Sequence, residues 1–326
     1  IEYLNHEPEK ISCVCHYAYP RYRFSKANNF MIPSSVNGDF FVSQFISGLS
    51  MTSILLMVAL GLAIIYGTTG VINMAHGEFV MIGAYTSWFL QTKLGMGLIA
   101  SIIPIFIITA LMGFLIERLI IRHLYNRLLD TILATWGIGV LLQQFIRLTV
   151  GSELQYLKIP TFMAESMDMF GQQVPIYRVF IFLFAIAIFV LAWFIIFRTK
   201  FGIQLRAVTQ NKDIAGCFGI NSGFVYSATF AFGTGVAALA GAFVAPLKSI
   251  SPDMGTNYII DAFMVVVLGG VESLIGTAAS SFIIGESSSF LASFSNDTLA
   301  KALVLLIIIL ILRVKPEGIF TRKIRS

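Results

Sequence analysis

Charge is the scarcest commodity in this chain. Only 12% of its 326 residues are Asp, Glu, Lys or Arg, against about 25% in a typical soluble domain. Segments 40–77, 94–116, 131–146, 179–197 and 214–247 contain none. With 57% hydrophobic residues and a mean hydropathy of +0.83, so much apolar surface cannot be hidden in one water-soluble core, and lipid must be the solvent. Catalytic signatures are missing as well. There is no Gly-x-x-x-x-Gly-Lys-Ser/Thr phosphate loop, no Gly-x-Ser-x-Gly elbow and no His-Glu-x-x-His motif, which removes the support for an ATPase or a hydrolase. An intramembrane aspartyl protease needs paired aspartates, and Asp261 is read as a lone one. Cysteines number three. Cys13, Cys15 and His16 cluster but lack a fourth ligand at metal-site spacing, so neither a metal nor a cofactor is expected. Cys217 falls in a loop expected to be cytosolic and reduced. The net charge of +5, 22 basic minus 17 acidic residues, sits in short loops, as membrane topology requires, and nucleic acid is not an expected partner.

What is present is a succession of apolar spans. Nine are read: 41–66, 71–91, 97–117, 131–149, 179–197, 225–246, 258–271, 274–293 and 299–313. Span 258–271 is short, either a broken helix or one half of a hairpin with 274–293. The expected fold is all-α, a polytopic membrane protein of about eight or nine transmembrane helices with Gly-interrupted segments. Residues 40–326 form the transmembrane domain. Residues 1–39 are polar and weakly periodic and are read as a tail of unknown role; no signal-peptide pattern is seen, and a first residue of Ile1 rather than Met leaves the true start open. Arg118, Arg122 and Arg127, then Arg198, Lys200, Arg206 and Lys212, then Arg313, Lys315, Arg322, Lys323 and Arg325 outweigh Lys93, Lys158 and Lys248 on the alternate loops. That bias puts the first set in the cytosol, the N-terminus outside and the C-terminus inside. The 150–177 connection is the longest external one, suited to capping an outer mouth or meeting a delivery protein, and equally readable as a solvated link.

Residues 67–86 carry the most information. Asn73, His76 and Glu78 interrupt an apolar run in which Gly67, Gly70, Gly77 and Gly83 allow close packing or a helix break. A carboxylate there costs on the order of 2.5–3.5 kcal/mol by insertion scales, which marks a pathway or a buried partner. On a continuous helix Asn73 and His76 share a face while Glu78 points about 140° away; either the helix breaks near Gly77 or the two faces serve different partners. Asn73, His76, Glu78, Gln143 and Asp261 are the expected polar lining of a translocation pathway. Gln143 and Gln144 offer both donors and acceptors to an uncharged solute, and Arg147 reads as an interface anchor. Small residues at four-residue spacing, Gly233, Ala237, Gly241 and Ala245, form a packing stripe; Gly276, Ser280, Ser281, Gly285 and Ser289 repeat the device. A weak echo links the Gly-rich segments 67–86 and 269–285. The charged stretch from Arg206 to Asn221, with Gly219 as a helix stop, suits a short cytosolic helix that docks on a partner.

Gly61–Gly67 (Gly-Leu-Ala-Ile-Ile-Tyr-Gly) and 70–85 (Gly-Val-Ile-Asn-Met-Ala-His-Gly-Glu-Phe-Val-Met-Ile-Gly-Ala-Tyr) resemble the signature of high-affinity branched-chain amino-acid permeases of ABC importers, and the likeness runs from about 41 to 321. Asp130–Ile138, Arg206–Asn211, Tyr258–Gly270 and Lys315–Phe320 resemble the urea-type permease of that group. Glu272 and Glu286 depart from the pattern. The resemblance implies a permease subunit in the inner membrane, not an enzyme. It also implies two cytosolic ATPase subunits, a second homologous permease and an extracytoplasmic solute-binding protein. Arg206, Ala207, Asn211, Ala215 and Gly219 match the region that couples such permeases to their ATPases. The function expected on this basis is ATP-driven import of a small polar solute, urea first and a branched-chain amino acid as the alternative. A transporter or channel acting alone, with Glu78 as its ion site, is the rival.

Overall fold

The computed structural model describes residues 38–125, 127–169, 172–271, 273–315 and 318–320. The Cys13/Cys15/His16 cluster, Glu272 and nearly all of the N-terminal tail lie outside them. Long helices dominate: α1 (Gly38–Thr69), α2 (His76–Leu94), α3 (Leu98–Leu119), α4 (Leu128–Thr149), α6 (Ile176–Arg198), α9 (Ser222–Val244), α10 (Met254–Gly269), α11 (Leu274–Phe294) and α12 (Asp297–Val314). Three short helices, α5 (Thr161–Ala164), α7 (Lys200–Gln210) and α8 (Lys212–Cys217), sit in connections. By length and composition five of the long helices qualify alone as membrane spans: α1, α3, α4, α6 and α9. The chain is therefore an all-α, multi-pass membrane protein.

Burial separates two kinds of helix. The apolar windows of α1 and α9 are 83% buried and those of α3, α4 and α6 only 22%. The first two are the centre of the bundle, and the others turn Leu, Ile and Phe outward, as lipid-facing helices do. No hydrophobic force drives helices together inside lipid, so close approach must supply the contact energy. The α2–α9 seam does this at Gly83 and Gly241. A side-chain carbon on Gly83 would strike the Ala238 backbone, and one on Gly241 the Val80 backbone. The whole stripe Gly233, Ala237, Gly241 and Ala245 is buried. In the second stripe Ser280 donates to the Val265 carbonyl at 2.7 Å, tying α11 to α10.

Two boundaries differ from the sequence reading. Residues 71–75 are not helical, because Gly70 adopts φ +66° and turns the chain out of α1; α2 starts only at His76. Apolar Val71 and Ile72 hide that break from any hydropathy count. Span 258–271 proves to be α10, starting at Met254 and forming a hairpin with α11 around Gly270, whose φ is +88°. The two Gly-rich segments thus share a device: each ends a helix on a left-handed glycine. The long 150–177 connection holds a small antiparallel hairpin of β1 (Ser166–Met169) and β2 (Gln172–Pro175), and a bridge from Gln155 to Ile250 fastens it to the α9–α10 connection.

Candidate functional site

The start of α2 gathers the polar residues of the first seam. Asn73 precedes the helix rather than sharing a face with His76, and the three-residue spacing carries no weight there. The Asn73 Oδ1 atom accepts from the Ala75 amide at 3.1 Å, and the Met74 amide donates to Thr135 Oγ1 on α4 at 3.1 Å. His76 is wholly buried. Its Nε2 lies 3.0 Å from the Val58 carbonyl of α1; a carbonyl only accepts, so Nε2 carries the hydrogen. Two residues on, about 200° around the helix, Glu78 faces α4 and α10. Of the two alternatives, the break falls before His76, and the two sides of α2 do serve different partners.

Glu78 is 4% exposed. Its Oε1 accepts from Gln143 Nε2 at 2.8 Å, and Gln143 is also 3.4 Å from Thr256 Oγ1. The second oxygen has no partner among the described residues and rests on Gly255, where a side chain would intrude. Nearby, Arg147 of α4 forms an ion pair with Asp253, so it holds α4 to the start of α10 rather than only anchoring at an interface. The orphaned oxygen has company. Eight buried side-chain atoms lack a hydrogen-bond partner among the described residues, and those of Asn73, His76, Glu78, Tyr85, Ser87 and Gln91 all fall on or just before α2. Buried polar atoms are nearly always satisfied, so this concentration sets α2 apart from the other helices among the described residues.

Asp261 belongs to a second cluster. It is not alone: Lys301 Nζ of α12 sits 2.6 Å from its Oδ2. The carboxylate is 5% exposed and the lysine 39%. Lys301 borders two cavities of about 300 and 390 Å³, and Asp261 the larger of them; they lie beside the N-terminal half of α1, where Gln44 Nε2 donates to Ser289 Oγ of α11 at 2.8 Å. Sequence reasoning missed Lys301. An isolated lysine inside span 299–313 was the available signal. Glu286 leans on Gly48 of α1, and its Oε1 is another of the unpartnered atoms.

The region from Arg206 to Gly219 lies at the other end of α1, whose Gly67 and Thr68 share a cavity of about 400 Å³ with Arg206 and Gln210. It is two helices, not one. Asn211 is the corner: its Oδ1 accepts from the Asp213 and Ile214 amides, both at 3.0 Å, and so caps α8. Ala215 packs with Leu205, Val208 and Val225 in a small cluster joining α7, α8 and α9, with Ala207 against its edge. Arg206 donates to the Ile196 carbonyl and covers the Phe197 ring at 5.5 Å. Gly219 reverses the chain at φ +76°. Ile214 and Phe218 are 56% and 81% exposed, an apolar tip the sequence reading did not single out. Behind it, fully buried Glu117 at the end of α3 accepts from Tyr125 at 2.6 Å and from Ser227 of α9. Burial first, then the bond to Glu117, pushes the Tyr125 phenol above its ordinary range.

Comparison with known proteins agrees with this architecture. Residues 44–312 match the family model described as "Branched-chain amino acid transport system / permease component". The high-affinity branched-chain amino acid transport system permease protein BraD of Pseudomonas aeruginosa is 31% identical over 300 residues, covering 86% of this chain and 96% of the relative. LivH of Salmonella typhimurium, bearing the same description, is 30% identical, covering 87% and 96%. The probable LivH of Methanocaldococcus jannaschii is 28% identical, covering 82% and 89%. No solved structure matches the chain. None of these relatives carries urea in its name, and the urea-type resemblance gains no support from them.

Proposed function

This chain belongs to the family of branched-chain amino acid ABC transport permeases, and on that premise we propose that its own cargo is a branched-chain amino acid rather than urea. It is a transport subunit and not an enzyme, and ATPase and solute-binding partners follow from the family. In our reading the working unit is this permease, a second homologous permease, two cytosolic ATPases and an external binding protein. The N-terminus is outside, and the C-terminus and the α7–α8 corner are inside, as the loop charges favour. The ATPases engage the exposed Ile214 and Phe218 tip beside Arg206, Ala207, Asn211, Ala215 and Gly219, and solute passes beside the start of α2, where Asn73, His76, Glu78 and Gln143 gather, with Asp261 holding Lys301 at a separate station.

The concentration of unpartnered polar atoms along α2 carries the pathway assignment. A helix built only for packing would have its polar groups matched, whereas a lining helix exchanges partners as solute and water pass. The test is uptake into vesicles bearing the assembled complex, its binding protein and internal ATP. Labelled leucine, isoleucine or valine should accumulate, and excess urea should not compete. Accumulation of urea without the amino acids would reject the cargo. Uptake that persists after the ATP-binding lysine of the ATPase partner is replaced would reject the mechanism.

A further inference from the structure

The two cavities beside Lys301 have a composition that no pathway for a solute without charged groups needs. Both are bordered by Lys248, Asp297 and Lys301. Lys301 is already engaged with Asp261 but keeps two of its three N–H donors for something else. Lys248 and Asp297 form no ion pair among the described residues, although they border the same spaces. An exposed cation and an exposed anion, neither of them ion-paired among the described residues, thus border a common hollow. The rest of the larger cavity's wall is mixed: Met51 of α1, Val244 of α9 and Met254 of α10 supply apolar surface, and Ser249, Ser251, Asn257 and Thr298 supply polar groups. Its volume of about 390 Å³ falls within the roughly 300–1,000 Å³ of small-molecule sites.

The geometry points to a vestibule for a zwitterionic amino acid with an aliphatic side chain. Its carboxylate meets Lys248 and the spare donors of Lys301, its ammonium meets Asp297, and its side chain lies against Met51, Val244 and Met254. A urea molecule would leave both charges unanswered. A simple cation or anion would answer only one and meet repulsion from the other. Asp261 also borders the larger cavity, but its carboxylate is 5% exposed and bonded to Lys301, so it holds that ammonium in place and is a positioning residue. The inference rests on the amino-acid reading of the cargo and adds where, and by which groups, the permease itself recognises it.

Fluorine NMR of trifluoroleucine with the purified assembled complex, without its binding protein, tests the site directly. The resonance should broaden, and leucine should restore it. Leucinamide, which lacks the carboxylate, isocaproate, which lacks the ammonium, and urea should not. Lys248→Gln and Asp297→Asn, judged only on complexes that elute as intact assemblies, should each weaken binding about two- to fivefold, as expected for one partly exposed charge contact. Absence of broadening, equal competition by leucinamide or isocaproate, or unchanged binding in both variants overturns the vestibule. If the unaltered complex still imports leucine, the cargo reading survives that loss; if it imports no branched-chain amino acid, both fall together.

Discussion

Two of the buried carboxylates of this membrane protein, Asp261 and Glu78, are kept differently. Asp261 is matched by a full opposite charge from Lys301. Glu78 has a neutral amide on one oxygen and no hydrogen-bond partner on the other among the described residues. A paired charge is a closed account that fixes two helices, here α10 and α12. An under-satisfied one is poised for a visitor. The contrast separates a group that secures the frame from a group that meets what passes through it, and substitutions can pull the two apart.

The largest effect is expected where the account is closed. Lys301→Met strands a buried carboxylate, and loss of one partner of a buried pair costs about 3–5 kcal/mol; the 39% exposure of the lysine puts this case near the lower end. The thermal midpoint of the assembled complex should fall, and Asp261→Asn on the same background should recover much of it. Next comes the seam that positions α2. Gly241→Leu drives a side chain into the Val80 backbone, and overpacking of this kind costs about 1–3 kcal/mol, read as lower yield of intact complex. Glu78→Gln is milder in stability. It keeps an acceptor for Gln143 and removes the charge, so the midpoint should move by no more than about 1 kcal/mol equivalent. Transport should nevertheless drop about tenfold, equal to ~1.4 kcal/mol. A matched loss of stability and transport would instead make Glu78 a packing residue, no different in kind from Asp261. The smallest stability change belongs to Phe218→Ser at the exposed tip, within about 0.5 kcal/mol as for most surface changes. Its signature should be lost co-purification of the ATPases from otherwise intact permease.

Much of this was legible in the chain before any coordinates. Among the described residues the long apolar runs foretold every long helix except α2 to within four residues, because hydropathy and helix length are set by the same bilayer thickness. The packing stripe on α9 was visible for a similar reason: small residues four apart announce a seam whatever lies across it. What escaped was pairing. Nothing near Glu78 names Gln143, 65 positions on, and nothing near Asp261 names Lys301, 40 positions on. Apolar Val71 and Ile72 concealed the interruption before His76, which depends on one backbone angle at Gly70. Polar residues could be nominated locally, but their grouping into two clusters is a property of helix packing.

The small knot of Leu205, Val208, Ala215 and Val225 makes the bend from α7 through α8 into α9 a solid elbow. Since α9 lies against α1, α2 and α3 together, a push delivered at Phe218 cannot be absorbed by a slack hinge. It has to arrive in the central helix, which would then act as a crank shared by three neighbours.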